Sequence, residues 1–69
     1  MTPQKIQPRF GRKLARSRKR AKLTQREAAS RAHITAAYLC QLEHGEAMPS
    51  VELAARLADV VGAKLKDLF

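Results

Sequence analysis

Two helix starts, at Thr24 and Thr35, constrain this chain more than any other feature. Thr24 is followed three residues later by Glu27. A threonine hydroxyl there reaches the N3 amide, and the carboxylate reaches back to the threonine amide, forming a capping box. The helix it opens runs from Gln25 to about Ala32, and its run Ala28, Ala29, Ala32 is all small, so another helix can approach closely. His33 and Ile34 make a short break. Thr35 then caps a second helix, with Ile34 before it and Leu39 at N4 as a hydrophobic staple. Leu39 and Leu42 face inward, and Gly45 ends the helix by taking a left-handed conformation at C′. A helix of about eight residues, a break of about three and a second capped helix match a helix-turn-helix plan.

The remaining segments read as helices around that pair. From Arg9 to Ala21, Phe10, Leu14, Ser17 and Ala21 share one face while Arg and Lys hold the others, which is a basic amphipathic helix. After the loop GEAMP, Ser50 caps a fourth helix with an apolar stripe of Leu53, Leu57, Val60 and Val61, ended by Gly62. The tail KLKDLF reads as a fifth, short helix with Leu65, Leu68 and Phe69 inward. No segment has strand character. The expected fold is therefore all-α: a compact five-helix domain over residues 9–69, preceded by an arm at 1–8 that contains Pro3 and Pro8. A chain of 69 residues holds one modest core, and Cys40, alone, gives it no internal disulfide. A lone thiol fits a reducing cytoplasm.

Charge narrows the function. Residues 1–23 carry nine cations and no acid, whereas residues 24–69 carry five cations and six acids. All of the net +8 therefore sits at one end of the chain. That is the footprint of a polyphosphate or anionic-membrane partner. The apolar face of the basic helix is narrow and has no tryptophan, so a membrane surface is the weaker use. No apolar run approaches 18 residues and the N-terminus has no secretory h-region.

Residues 10–69 resemble the helix-turn-helix domain of phage repressors and Cro-like regulators, the XRE family. The matching residues are Phe10, Leu14 and Arg18, then Thr24, Gln25 and Ala29 within TQREAA. Ile34, Thr35, Tyr38, Leu39, Leu42, Glu43 and Gly45 follow, and then Pro49-Ser50, Leu53, Leu57, Leu65, Leu68 and Phe69. The resemblance implies a repressor-like fold with the helix-turn-helix formed by helices two and three. It implies that Gln25, at the start of helix two, holds a phosphate, and that Arg18 and Glu43 join helix one to helix three as an ion pair. His44 falls where family members touch the nucleic-acid backbone. Arg18 also has a plainer reading, as one more cation on the basic face.

Helix three (about 35–44) is then expected to enter the DNA major groove with its N-terminal end forward. Leu39 and Leu42 are taken by the core, which leaves Ala36, Ala37, Cys40 and Gln41 facing the bases. Methyl groups at the leading end can meet thymine methyls, and Gln41 can bond an adenine edge bidentately, worth roughly 1–3 kcal/mol of discrimination. Tyr38 reads two ways, as a phosphate contact or as a half-buried packing ring. The backbone contacts expected are Arg12, Arg18, Thr24, Gln25, Tyr38 and His44. Two departures from the family stand out. Ala36 and Ala37 stand where a long polar residue is usual at one or both positions, so either specificity leans on DNA shape or the site tolerates many sequences, and His33 stands where glycine is usual in the turn.

The implied function is a sequence-specific transcriptional regulator of repressor type, cytoplasmic, bound to double-stranded DNA as a homodimer that meets through Leu68, Phe69 and the exposed part of helix four. Rival readings are an antitoxin with a toxin partner, a basic module for RNA or protein, and one domain of a longer regulator. Cys40, His44 and His33 do not reach the four ligands of a structural zinc site, so no metal or cofactor is expected. Cys40 near the groove is either a small neighbour of DNA or an oxidisable thiol. No catalytic constellation is present, and an enzyme is not expected.

Overall fold

A computed structural model describes residues 6–69, with side chains from Arg9 onward. Four α-helices follow one another: α1 (Ile6–Arg20), α2 (Gln25–Ala32), α3 (Ala36–Glu43) and α4 (Val51–Val61). The expected fifth α-helix is instead a 3₁₀ turn, Leu65–Leu68. Four residues suffice for a 3₁₀ turn but barely begin an α-helical ladder, and no side chain caps this one. No strand occurs among the described residues. α1 starts inside the segment read as an arm; the expectation for residues 1–5 lies outside the described residues.

Side-chain caps open three of the helices. Thr24 Oγ1 accepts from the Glu27 amide at 3.0 Å while the Thr24 amide donates to Glu27 Oε1 at 2.9 Å, so the capping box is complete. That pairing holds the Glu27 carboxyl below its ordinary range, through the backbone hydrogen bond first and the threonine hydroxyl second. Thr35 Oγ1 accepts from the Tyr38 amide at 3.0 Å, and Ser50 Oγ from the Leu53 amide at 3.1 Å.

The helix ends share one device: a left-handed residue follows each of the four. These are Lys22 (φ 62°), His33 (φ 62°), Gly45 (φ 78°) and Gly62 (φ 72°). At each, an amide one residue further on closes back onto the helix, as in Ile34 to Ala29 O at 3.0 Å and Glu46 to Gln41 O at 2.9 Å. Only two of these residues are glycines, so Lys22 and His33 hold a backbone shape that costs an L-residue roughly 1–2 kcal/mol.

The core is formed by Phe10 and Leu14 of α1, Ala28, Ala29 and Ala32 of α2, and Leu39 and Leu42 of α3. Ala54, Leu57, Ala58 and Val61 of α4 and Leu68 of the 3₁₀ turn close it. Small residues on α2 and α4 let those two helices lie close, and Arg56 on α4 ties them further by donating Nη1 to Ala32 O at 3.0 Å. The buried face of α1 differs from its expected composition. Ala21 is exposed because the helix ends at Arg20, and Arg18 is buried in its place. Phe69, expected inward, stacks against Phe10 with centroids 5.1 Å apart yet remains 48% exposed.

Gly11 decides how α1 meets α3. A Cβ placed on it would collide with the backbone carbonyls of Leu42 and Glu43, the Glu43 oxygen lying 2.5 Å away. The missing side chain lets α1 press directly on the last turn of α3, which fixes the angle at which α3 leaves the domain.

Candidate nucleic-acid interface

At the base of α3, Arg18 Nε donates to Glu43 Oε2 at 2.6 Å and its Nη2 donates to Glu43 Oε1 at 3.2 Å. This is the two-pronged geometry that a planar guanidinium offers a carboxylate. Arg18 Nη1 also donates to Leu23 O at 2.7 Å, and Gln25 Nε2 donates to Glu43 Oε1 at 2.9 Å. One carboxylate thus joins three elements: the end of α1, the start of α2 and the end of α3. The two charged side chains are 10% and 5% exposed, so the pair sits largely out of water.

This geometry bears on one expectation. Arg18 is expected both as the ion-pair partner of Glu43 and as a phosphate contact; three of its five N–H groups are engaged within the domain, and its side chain is 10% exposed. It joins the end of α1 to α3 and to the turn before α2. Among the other backbone-contact residues, Arg12 and Thr24 are exposed. Thr24 uses its oxygen as the cap acceptor and retains its hydroxyl proton. Gln25, half-buried, has one amide proton on Glu43 and one left over; its backbone amide belongs to the first turn, where no carbonyl precedes it as an intrahelical partner.

Along α3 the faces separate cleanly. Leu39 and Leu42 are wholly buried, whereas Ala37 and Gln41, four residues apart, are exposed together. Cys40 is half-buried beside them. Ala36 is only partly outward, since its methyl packs on the core, and Tyr38 lies half-buried against the same core. His44 ends the helix with Nδ1 2.8 Å from Cys40 O and 3.4 Å from Cys40 Sγ. A carbonyl only accepts, so Nδ1 carries the proton there.

Three residues that position this surface escaped the sequence reading. Gly11 had a signal, a glycine within an otherwise regular amphipathic helix, which marks close backbone approach. Leu23 O and Arg56 had none, because their roles depend on which helix end lies opposite. His33 was singled out for its turn position, and it adopts φ 62°, ψ 40°. Among the described residues no group of three His, Cys, Asp or Glu side chains is placed to hold a metal ion, and no helix is long and apolar enough to cross a membrane.

Two short capped helices joined by the three-residue turn 33–35, the second braced at its base and presenting small residues and one amide outward, follow the helix-turn-helix plan. Residues 9–68 match the family described as "Helix-turn-helix domain". The chain belongs to this family and is a DNA-binding transcriptional regulator. It is similar to the clp gene regulator ClgR from Corynebacterium glutamicum, at 30% identity, covering 91% of this chain and 81% of that one with a TM-score of 0.88. Its fold is also that of the restriction-modification controller protein C.AhdI from Aeromonas hydrophila, with a TM-score of 0.91 at 22% identity and 100% of each chain covered. A transcriptional regulator of the HTH_3 family from Vibrio cholerae has a TM-score of 0.87 at 24% identity, covering 99% of this chain and 38% of that one. No curated protein matches the chain.

Proposed function

We propose that the protein is a sequence-specific repressor-type regulator that inserts α3 into the major groove, with residues 9–69 as its DNA-binding domain. Ala37, Gln41 and Cys40, with Ala36 in part, face the bases. Arg12, Thr24, Gln25, Tyr38 and His44 face the backbone. One observation carries the reading: α3 buries Leu39 and Leu42 completely while exposing Ala37 and Gln41 on its opposite side. The protein acts as a homodimer on a near-palindrome with half-sites about one helical turn apart. The exposed part of Phe69 belongs to the subunit contact; Leu68, named with it from sequence, is fully buried and contributes to the core instead.

Gln41 is the only long polar side chain among the base-facing set, so base discrimination concentrates there. Selection of duplexes from a random library tests this, run with the wild type and with Gln41→Ala. The wild type enriches a half-site, and the variant loses preference at one base step by roughly 1–3 kcal/mol. A half-site preference unchanged by the substitution would remove Gln41 as the reader, and no enrichment by the wild type would remove sequence specificity.

A further inference from the structure

A second basic surface lies on the far edge of α1. Lys13, Arg16 and Arg20 recur at helical spacing along that edge, opposite the edge where Gly11 and Arg18 meet α3. They face the end of α4 and the residues that follow it across a cleft of about 380 Å³. Lys64 and Asp67 stand on the facing wall. Among the lining side chains, four cations stand against one carboxylate.

Apart from Asp67, no acidic side chain lines the cleft. The only ion pair among the described residues is Arg18–Glu43, outside the cleft. The Lys13 ammonium donates to Phe69 O at 3.1 Å and keeps two further protons, while Arg16, Arg20 and Lys64 have no side-chain hydrogen bond among the described residues. Gly62 lies in the wall, and a Cβ built on it would meet nothing within 4 Å, so the space above it is open.

We propose that this cleft binds a free polyphosphate anion of two or three phosphoryl groups, a site separate from the surface that α2 and α3 offer to DNA. Guanidinium forks from Arg16 and Arg20 match phosphate oxygens two at a time, and Lys13 and Lys64 add point charges from either wall. Like charges held around one hollow repel, and an anion between them relieves that repulsion. The shape selects the ligand. A hollow of this size admits a compact anion, whereas the backbone of a duplex is a broad rod that meets convex or flat surfaces. The site lies on the side of α1 turned away from α3, so a duplex seated on α3 does not reach into it.

Titration of the full 69-residue chain with inorganic tripolyphosphate at about 0.15 M ionic strength tests the site by calorimetry and amide chemical shifts. One anion binds per chain, with shifts confined to residues 13–20 and 61–67. Arg16→Ala with Arg20→Ala weakens binding by about tenfold or more, as loss of two charge-assisted contacts requires. Lys64→Ala, which leaves α1 intact, weakens it in the same direction. Arg26→Ala with Arg31→Ala removes the same charge from the exposed face of α2 and leaves binding within about threefold, consistent with weak long-range terms in screened solvent. Equal losses in both double variants would reduce the effect to net charge and overturn the site. So would shifts centred on α2 and α3, an absence of saturable binding, or displacement of the anion by random-sequence duplex whose own shifts map to the cleft.

Discussion

Removing one partner of the Arg18–Glu43 pair is the most informative perturbation of this fold. In Glu43→Leu the Arg18 guanidinium keeps only Leu23 O, with its side chain about nine-tenths buried. In Arg18→Met the carboxylate keeps only Gln25 Nε2. An uncompensated buried charge costs about 3–5 kcal/mol. A domain of this length has roughly 3–10 kcal/mol of total stability, so each single variant loses a large part of it, and its Tm falls by at least about 12 °C. The double variant Arg18→Met/Glu43→Leu removes both charges and fills the space with apolar atoms, and it returns to within about 1–2 kcal/mol of wild type. Urea unfolding followed by helical circular dichroism measures all four proteins. Two single losses under about 1 kcal/mol that simply add in the double variant would refute the coupling, since contacting residues in one network do not add. The same double variant separates positioning from phosphate contact. Its DNA affinity keeps the wild-type dependence on salt, whereas loss of a true phosphate contact would lower the slope of log K against log salt by about one.

Gly11→Ala places a methyl against backbone carbonyls of Leu42 and Glu43 that no rotamer can move, and destabilises by about 2 kcal/mol or more in the same assay. His33→Gly relieves a left-handed residue but loosens the unfolded chain, for a net gain of a few tenths to about 1 kcal/mol, read as a rise in Tm. Because the folded-state pKa of Glu27 is depressed, its carboxylate favours the fold above the pKa it has in the unfolded chain, and that contribution disappears as pH falls through the folded value. Glu27→Gln is accordingly less stable than wild type at neutral pH, and the gap between them closes on acidification; a gap independent of pH would exclude the charged capping box.

The parts of this fold legible from sequence are those written in short-range chemistry. The caps at Thr24, Thr35 and Ser50 and the stop at Gly45 depend only on residues a few places apart, and the backbone follows them. What was not legible depends on which helix end faces which. Lys22 carries no sign of its left-handed turn, and nothing near Arg56 indicates that Ala32 O lies within reach. Arg18 was legible as a partner of Glu43 only through family resemblance, because the two are far apart in sequence. Its burial follows from that pairing and is not visible in spacing alone. The 3₁₀ turn was misread as α-helix because periodicity over so few residues does not distinguish the two.

α1 explains how so small a chain carries so many cations without dispersing its function. A helix turns 100° per residue, so its positions divide by angle before anything packs on it. Phe10 and Leu14 take the core, Gly11 and Arg18 take the base of α3, and Lys13, Arg16 and Arg20 take the cleft beside α4. Arg12 and Lys19 remain on the outer face, open to solvent. Arg9, Lys22 and the α2 residues Arg26 and Arg31 are exposed as well, so the free cations are spread over several faces of the domain. On the proposed reading of α3 as the groove helix, helix N-termini and neutral hydrogen-bond donors add to these cations, and such contacts require close approach. Ala37, exposed on α3, would permit that approach on the proposed reading, where a longer side chain would hold the helix away from the groove floor.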